Sequence, residues 1–310
     1  MAPLDKTLEA APVPMPARPN FDLLEAQRNA PDRPQNKSTV DPSELYFGNM
    51  DSLRDLLVTG TDGKLCSTLP DAGQIPALKA GGDALGCTFT DAQRDPLAYQ
   101  IYQDHKDQTV KMRGDYGQDL MVQGSGVMVG KDGDQCHILT ALHVIEGDTV
   151  GEALPNLRLT TTDGSEFPVQ TAVADRPHEL AIVSVDMGAS ADALCKPVSI
   201  AKDSQLSPWD GANSLGYPGS STSLYVSPSK FHAARQLSDL GDMSLPKEYF
   251  PGEDPDRTML EFEGLALPGN SGGPTFDKDG NLIGVVDEST LNYTTWSTPV
   301  TEDIINNMIQ

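Results

Sequence analysis

The last two-thirds of this chain predict an all-β fold, preceded by a small, partly helical N-terminal extension. Three observations carry that reading. From about residue 108 the apolar residues recur with a period of two, as in half-buried strands. Short alternating runs are punctuated by turn sequences such as Lys131-Asp132-Gly133-Asp134, a hairpin signal. The strand candidates also fall into two successive sets, one ending near residue 190 and one after it.

In chain order, residues 1–40 are rich in Pro, Ala, Asn and charge, as in Ala11-Pro12-Val13-Pro14. They lack the apolar surface needed to offset ordering entropy and read as a flexible tail, with a propeptide or tether as its functional alternative. Residues 41–107 read as the mostly helical extension. Asp51 would cap a short helix carrying Leu53, Leu56 and Leu57. Asp95-Pro96 would be the cap and first turn of a second helix running to about Lys106, with Leu97 and Ile101 on one face. The expected role of the extension is to pack against the first strand set.

The first strand set, about 108–190, comprises Thr109–Arg113, Leu120–Val129, His137–Ala141, Leu157–Thr161, Glu166–Val173 and Leu180–Val185. The second, about 191–300, comprises Val198–Ala201, Ala212–Tyr217, Ser221–Val226, Arg257–Phe262, Gly273–Phe276, Leu282–Asp287 and Thr294–Pro299. Residues 227–256 carry Pro, Asp, Lys and Glu and read as a long surface loop. Glu302–Met308 reads as a short closing helix.

Composition narrows the function classes. A net charge of −23 argues against nucleic acid or anionic lipid as a partner. No run approaches the length of an apolar membrane span. The start, Met1-Ala2-Pro3-Leu4-Asp5-Lys6, has no apolar leader core, so an extracytoplasmic location would require a leader already removed. The four cysteines permit two disulfides; the spacing around a Gly- and Pro-containing stretch favours Cys66–Cys87 as one. No Cys-x-x-Cys pair suggests structural zinc. Asp277-Lys278-Asp279-Gly280-Asn281 reads as a hairpin rather than a calcium loop, and Glu253-Asp254-Pro255-Asp256 as solvated charge.

The chemistry concentrates in Pro268-Gly269-Asn270-Ser271-Gly272-Gly273-Pro274. Glycines around a serine leave its hydroxyl accessible and let the backbone bend so that the Gly269 and Ser271 N–H groups converge on one oxygen. A serine needs a base to take its proton. Of the five histidines, His143 stands in Thr140-Ala141-Leu142-His143-Val144.

Together these motifs, with Gly124-Ser125-Gly126-Val127 and Gly216-Tyr217-Pro218, resemble those of trypsin-like serine proteases, especially the bacterial HtrA-like and glutamyl-endopeptidase-like branches. The resemblance covers residues 108 to 305. It implies two six-stranded antiparallel β-barrels, with Ser271 as nucleophile, His143 as general base and Gly269 and Ser271 as the oxyanion hole. The expected activity is a serine endopeptidase working through an acyl-enzyme on protein or peptide substrates, with no metal and no other cofactor. The 39 residues after Ser271 are too few for the PDZ domain of many HtrA-like proteins.

The third triad member departs from the family pattern. Where relatives carry Asp, Asp175-Arg176-Pro177-His178-Glu179-Leu180-Ala181 has Glu179. Three readings stand: Glu179 orients His143, Asp175 reaches it through a rearranged loop, or the acid is lost. The last gives the alternative function, a pseudoprotease that binds peptides without cutting them. By position, Leu265, Ala266 and Val286 line the primary specificity pocket and imply small or medium aliphatic side chains. Oligomeric state is open.

Overall fold

The computed structural model describes residues 9–10, 96–116, 120–147, 150–202, 206–218, 224–240, 252–264, 266, 268–290 and 294–309. The expected helix at Leu53–Leu57, the pair Cys66–Cys87, residue Leu265 and most of the 1–40 tail lie outside them. Of that tail, Glu9–Ala10 forms a two-residue strand, β1, parallel to Val173 and Ala174.

Barrel one is built from β2 (Thr109–Tyr116), β3 (Leu120–Asp132), β4 (Gln135–Ala141), β5 (Arg158–Thr160), β6 (Glu166–Asp175) and β7 (Leu180–Asp186). Their order is β6-β5-β2-β3-β4-β7, closed by pairing of β6 with β7. Barrel two is closed in the order β10-β13-β12-β11-β8-β9. Its strands are β8 (Gly211–Gly216), β9 (Tyr225–Gln236), β10 (Thr258–Gly264), β11 (Pro274–Phe276), β12 (Leu282–Thr290) and β13 (Thr294–Pro299). Closure removes the unpaired edges that an open sheet would expose. Both barrels are antiparallel, as the double-barrel expectation required.

Each barrel buries alternate side chains. Val127, Ile138, Leu159 and Val183 fill the first, and Phe231, Leu260, Phe262 and Ile283 the second. Phe231 and Phe262 meet edge to face with centroids 5.7 Å apart, which adds to the burial of both rings. Among the described residues there are also three short α-helices: α1 (Pro96–His105), α2 (Ala191–Leu194) and α3 (Glu302–Ile309).

Several expectations need correction. Residues 227–236 are strand rather than loop, because β9 pairs with both β8 and β10. Its Pro228 and a bulge at His232 break the period-two pattern that would have revealed it. Val198–Ala201 is not a strand; only a bridge from Ile200 to Leu282 remains. Helix α1 packs on barrel two rather than barrel one, with His105 stacked on Phe276 at 3.9 Å. A disulfide joins Cys136 of β4 to Cys195 just after α2, fastening barrel one to the connection that leads out of it. The Asp277–Asn281 hairpin is as expected: Asp277 Oδ1 accepts from the N–H groups of Asp279 and Asn281, both at 2.9 Å.

Candidate active site

His143 lies on a single 3-10 turn, Leu142–Val144, that leaves the end of β4. Glu179 ends another such turn, Arg176–His178, just before β7. β4 and β7 are neighbours, with Ala141 opposite Leu180, so the two turns emerge side by side. The Leu142 N–H donates to the Glu179 main-chain oxygen at 3.0 Å, which ties them.

Glu179 adopts a left-handed conformation with φ +59°. For a residue with a side chain this costs about 1–3 kcal/mol. The conformation delivers its carboxylate to His143. One oxygen, Oε1, accepts from the His143 backbone N–H at 2.8 Å and meets ring Nδ1 at 3.1 Å. Glu179 is 3% exposed, so this contact is made away from bulk water. Asp175 does not reach His143; its Oδ2 pairs with His178 Nδ1 at 2.8 Å.

The segments flanking Ser271 are held from both barrels. Ser125 of β3 gives its N–H to the Ser271 carbonyl at 2.8 Å and its hydroxyl to the Gly269 carbonyl at 2.7 Å. The same hydroxyl accepts from the Tyr217 N–H at 2.9 Å. Gly269 and Gly272 have φ of +98° and +80°, a region only glycine enters freely. A Cβ on Gly272 would stand 2.1 Å from Thr140 Oγ1, inside any tolerable contact. The Gly272 N–H is used by the Val286 carbonyl at 2.7 Å. Among the described residues, neither the Gly269 nor the Ser271 N–H donates to a backbone carbonyl.

Gly124 explains its own place in the Gly-Ser-Gly-Val segment. A Cβ there would stand 2.5 Å from Val144 and 3.1 Å from the Ser271 carbonyl, so the histidine turn and the serine turn both close on it. The Ser271 hydroxyl rests 3.5 Å from the Asp287 carbonyl, at the outer limit of a hydrogen bond.

Two residues that sequence reasoning missed complete the surroundings. Asp287 of β12 brings Oδ1 to 3.9 Å from His143 Nδ1. Its Oδ2 accepts from the buried guanidinium of Arg257, which also pairs with Glu253. Glu253 is therefore 9% exposed at its side chain and belongs to the interior, not to a solvated cluster.

Charge sets the state of these groups. Burial pushes the His143 imidazole down, but the Glu179 hydrogen bond and the charges of Glu179, Asp287 and Glu288 outweigh it. The net effect holds His143 above its usual value. Burial pushes Glu253 above the carboxylate range, opposed by Arg257.

One ligand-type atom each from His143, Glu179 and Asp287 lies within 4.8 Å of the others. Nδ1 already meets Glu179, and Arg257 supplies Asp287 with positive charge, so this donor set suits an imidazolium. Of the expected pocket residues, Ala266 and Val286 are buried, and the Val286 N–H is used by the Gly273 carbonyl at 2.8 Å. A separate cavity of about 790 Å³, lined by Val129, His137, Lys202, Asp277, Glu302 and Ile305, includes none of these groups.

A family model described as a trypsin-like peptidase domain matches residues 124–285. The Serine protease Do-like HtrA of Bacillus subtilis (strain 168) is 25% identical over 163 residues, 52% of this chain and 32% of that protein. A probable periplasmic serine endoprotease DegP-like of Halomonas elongata is 30% identical over 166 residues, 52% of this chain and 28% of that protein. The chain thus spans about a third or less of these relatives' lengths. Among solved structures, the active form of the Rv3671c protease from M. tuberculosis superposes with a TM-score of 0.53 at 21% identity. The match covers 69% of this chain and 86% of that one, and it speaks to the fold alone.

Proposed function

Because the chain belongs to the trypsin-like peptidase family, we propose that it is a serine endopeptidase with Ser271, His143 and Glu179 as its triad. The observation that carries this reading is the double hold of Glu179 Oε1 on the backbone N–H and Nδ1 of His143. A carboxylate oxygen accepts hydrogen bonds, so Nδ1 carries the proton and Nε2 is left with its lone pair. Nε2 is then the base.

In the proposed cycle, Ser271 Oγ attacks the scissile carbonyl while His143 Nε2 takes its proton. The Gly269 and Ser271 N–H groups donate to the oxyanion. The imidazolium, stabilised by Glu179, protonates the leaving amine, and an ester remains on Ser271. Water, deprotonated by His143, then hydrolyses that ester and restores the serine. The alternative of a binder that does not cut rested on a missing acid, and a carboxylate oxygen 3.1 Å from Nδ1 weighs against it.

A fluorophosphonate probe tests the reading. It should label the native chain at Ser271, fail on Ser271→Ala and slow sharply on His143→Ala. A folded chain that neither reacts nor cleaves casein would favour the binder.

The substrate class is protein or peptide, and we extend the proposal to small or medium aliphatic side chains beside the cut bond. The burial of Ala266 and Val286 supports an apolar wall there. A peptide-library profile dominated by Lys, Arg or Glu at that position would refute it. We also place the protein outside the cytoplasm, supported by Cys136–Cys195, since such bonds persist in oxidising compartments. Among the described residues no helix is long and apolar enough to cross a membrane.

A further inference from the structure

Asp287 departs from the alternation of its own strand. Val286 stands opposite Ser297 and Glu288 opposite Trp296, so Asp287 is the extra residue of a β-bulge. A bulge re-aims a side chain. This one turns the Asp287 carboxylate to His143.

The two carboxylate oxygens have different surroundings. Oδ2 accepts from Arg257 and lies 3.3 Å from Thr298 Oγ1. Oδ1 is buried, has no hydrogen-bond partner among the described residues, and lies 3.9 Å from His143 Nδ1. A purely structural ion pair gains nothing from leaving one oxygen bare, because an unsatisfied buried acceptor is costly. An oxygen beside a ring that becomes positively charged during catalysis is compensated at that moment. The main-chain oxygen of the same residue lies 3.5 Å from Ser271 Oγ, so Asp287 borders both reacting side chains.

We propose that Asp287 is a second positioning carboxylate for His143, and that Arg257 sets how strongly its charge acts on the ring. The proposal rests on the triad reading above and deepens it. Glu179 fixes the tautomer through a direct hydrogen bond. Asp287 adds charge stabilisation from the opposite barrel without bonding the ring at rest. Arg257 pairs with the buried carboxylate and moderates the field it exerts on the ring, and Glu253 offsets part of the guanidinium charge.

The groups facing this point come from several elements. They are Glu179 before β7, Arg257 and Glu253 before β10, Glu288 next along β12, and the Thr298 hydroxyl of β13. The loop carrying Glu253 also braces the Glu179 turn, since the Asp254 N–H donates to the Pro177 carbonyl at 3.0 Å. The Asp287 ion pair is thereby joined to both supports of His143.

The test is a pH titration of the His143 ring by NMR, in the full chain and in Asp287→Asn. The isosteric amide removes the charge and keeps the shape. The midpoint should fall by about one pH unit, a tenfold change in the protonation equilibrium. Kinetics should show kcat reduced by roughly tenfold with KM nearly unchanged, since the charge acts on the imidazolium and not on bound peptide.

Arg257→Met should move the midpoint in the opposite direction, because it frees the Asp287 charge. Opposite signs are a signature that loss of packing would not produce. A folded Asp287→Asn with the native midpoint overturns the proposal. If that variant does not fold, a midpoint in Arg257→Met that falls or stays fixed overturns it instead. A midpoint that moves as expected in a chain that acylates nothing would leave Asp287 standing and refute the endopeptidase reading. A fully active enzyme with a fixed midpoint would do the reverse.

Discussion

Glu179→Gln separates the two roles proposed for Glu179 at His143: holding the tautomer and stabilising the imidazolium. In the native chain a single oxygen accepts from both the backbone N–H and Nδ1, at 2.8 and 3.1 Å. The backbone N–H can only donate, so it forces the carbonyl oxygen of a glutamine into the same place. That oxygen still accepts from Nδ1–H, and the tautomer survives. What is lost is charge. A full charge at 3.1 Å acts with about 5 kcal/mol at an effective dielectric of about 20, and a hydrogen bond to a charged group has a net value of about 1.5–3 kcal/mol. With Asp287 still in place, a loss of about 2–4 kcal/mol follows, or roughly 30- to 1,000-fold in kcat. The assay is kcat on a chromogenic peptide, measured on the alkaline side of the acid limb. A loss of about 10⁴ or more is the size expected for a reversed tautomer and would refute the same-oxygen argument. Activity within threefold of native would remove Glu179 from the triad.

The elevated His143 value gives a pH prediction with a definite sign. The base must be neutral, so kcat/KM should rise with pH through a midpoint above the ordinary 6.5. Folding stability should run the other way. The fold favours the imidazolium, so that contribution is complete below 6.5 and lost as pH rises through the folded value, a trend that His143→Ala should flatten in denaturant titrations. Replacing Cys136 and Cys195 together by Ser should cost about 2–4 kcal/mol in urea unfolding, because their bond closes a loop with a sequence separation of 59. An unchanged unfolding midpoint would show that the bond contributes little. Gly124→Ala should cost at least tenfold in activity by displacing the turns of His143 and Ser271, with the barrels still folded by circular dichroism.

Much of this was legible in the sequence because it is local. The Ser271 and His143 motifs specify turns of a few residues, and their glycines report close approaches that Gly124 and Gly272 make visible. Glu179 stands out in the sequence by its place before β7, but its left-handed backbone has no sequence signal in a glutamate. Asp287 and Arg257 were not found at all. Asp287 is re-aimed by a bulge, and a bulge depends on how two strands pair rather than on either strand's pattern. Arg257 reads as the start of a strand, and Glu253 as one of three surface acids, because the buried partner of Arg257, Asp287, lies 30 positions away and Glu253 is drawn inward through Arg257. The same non-locality hid β9, whose Pro228 and bulge interrupt an alternation that pairing on both sides overrides.

If Ser271, activated by His143, takes an acyl group from substrate, rapid quench with an activated ester, followed by intact mass and peptide mapping, should capture it. The expected result is a burst near one equivalent with the acyl group on Ser271. That burst should vanish in Ser271→Ala and decline as the pH falls through the His143 midpoint. A folded native chain with no burst and no acyl group on Ser271 would contradict it.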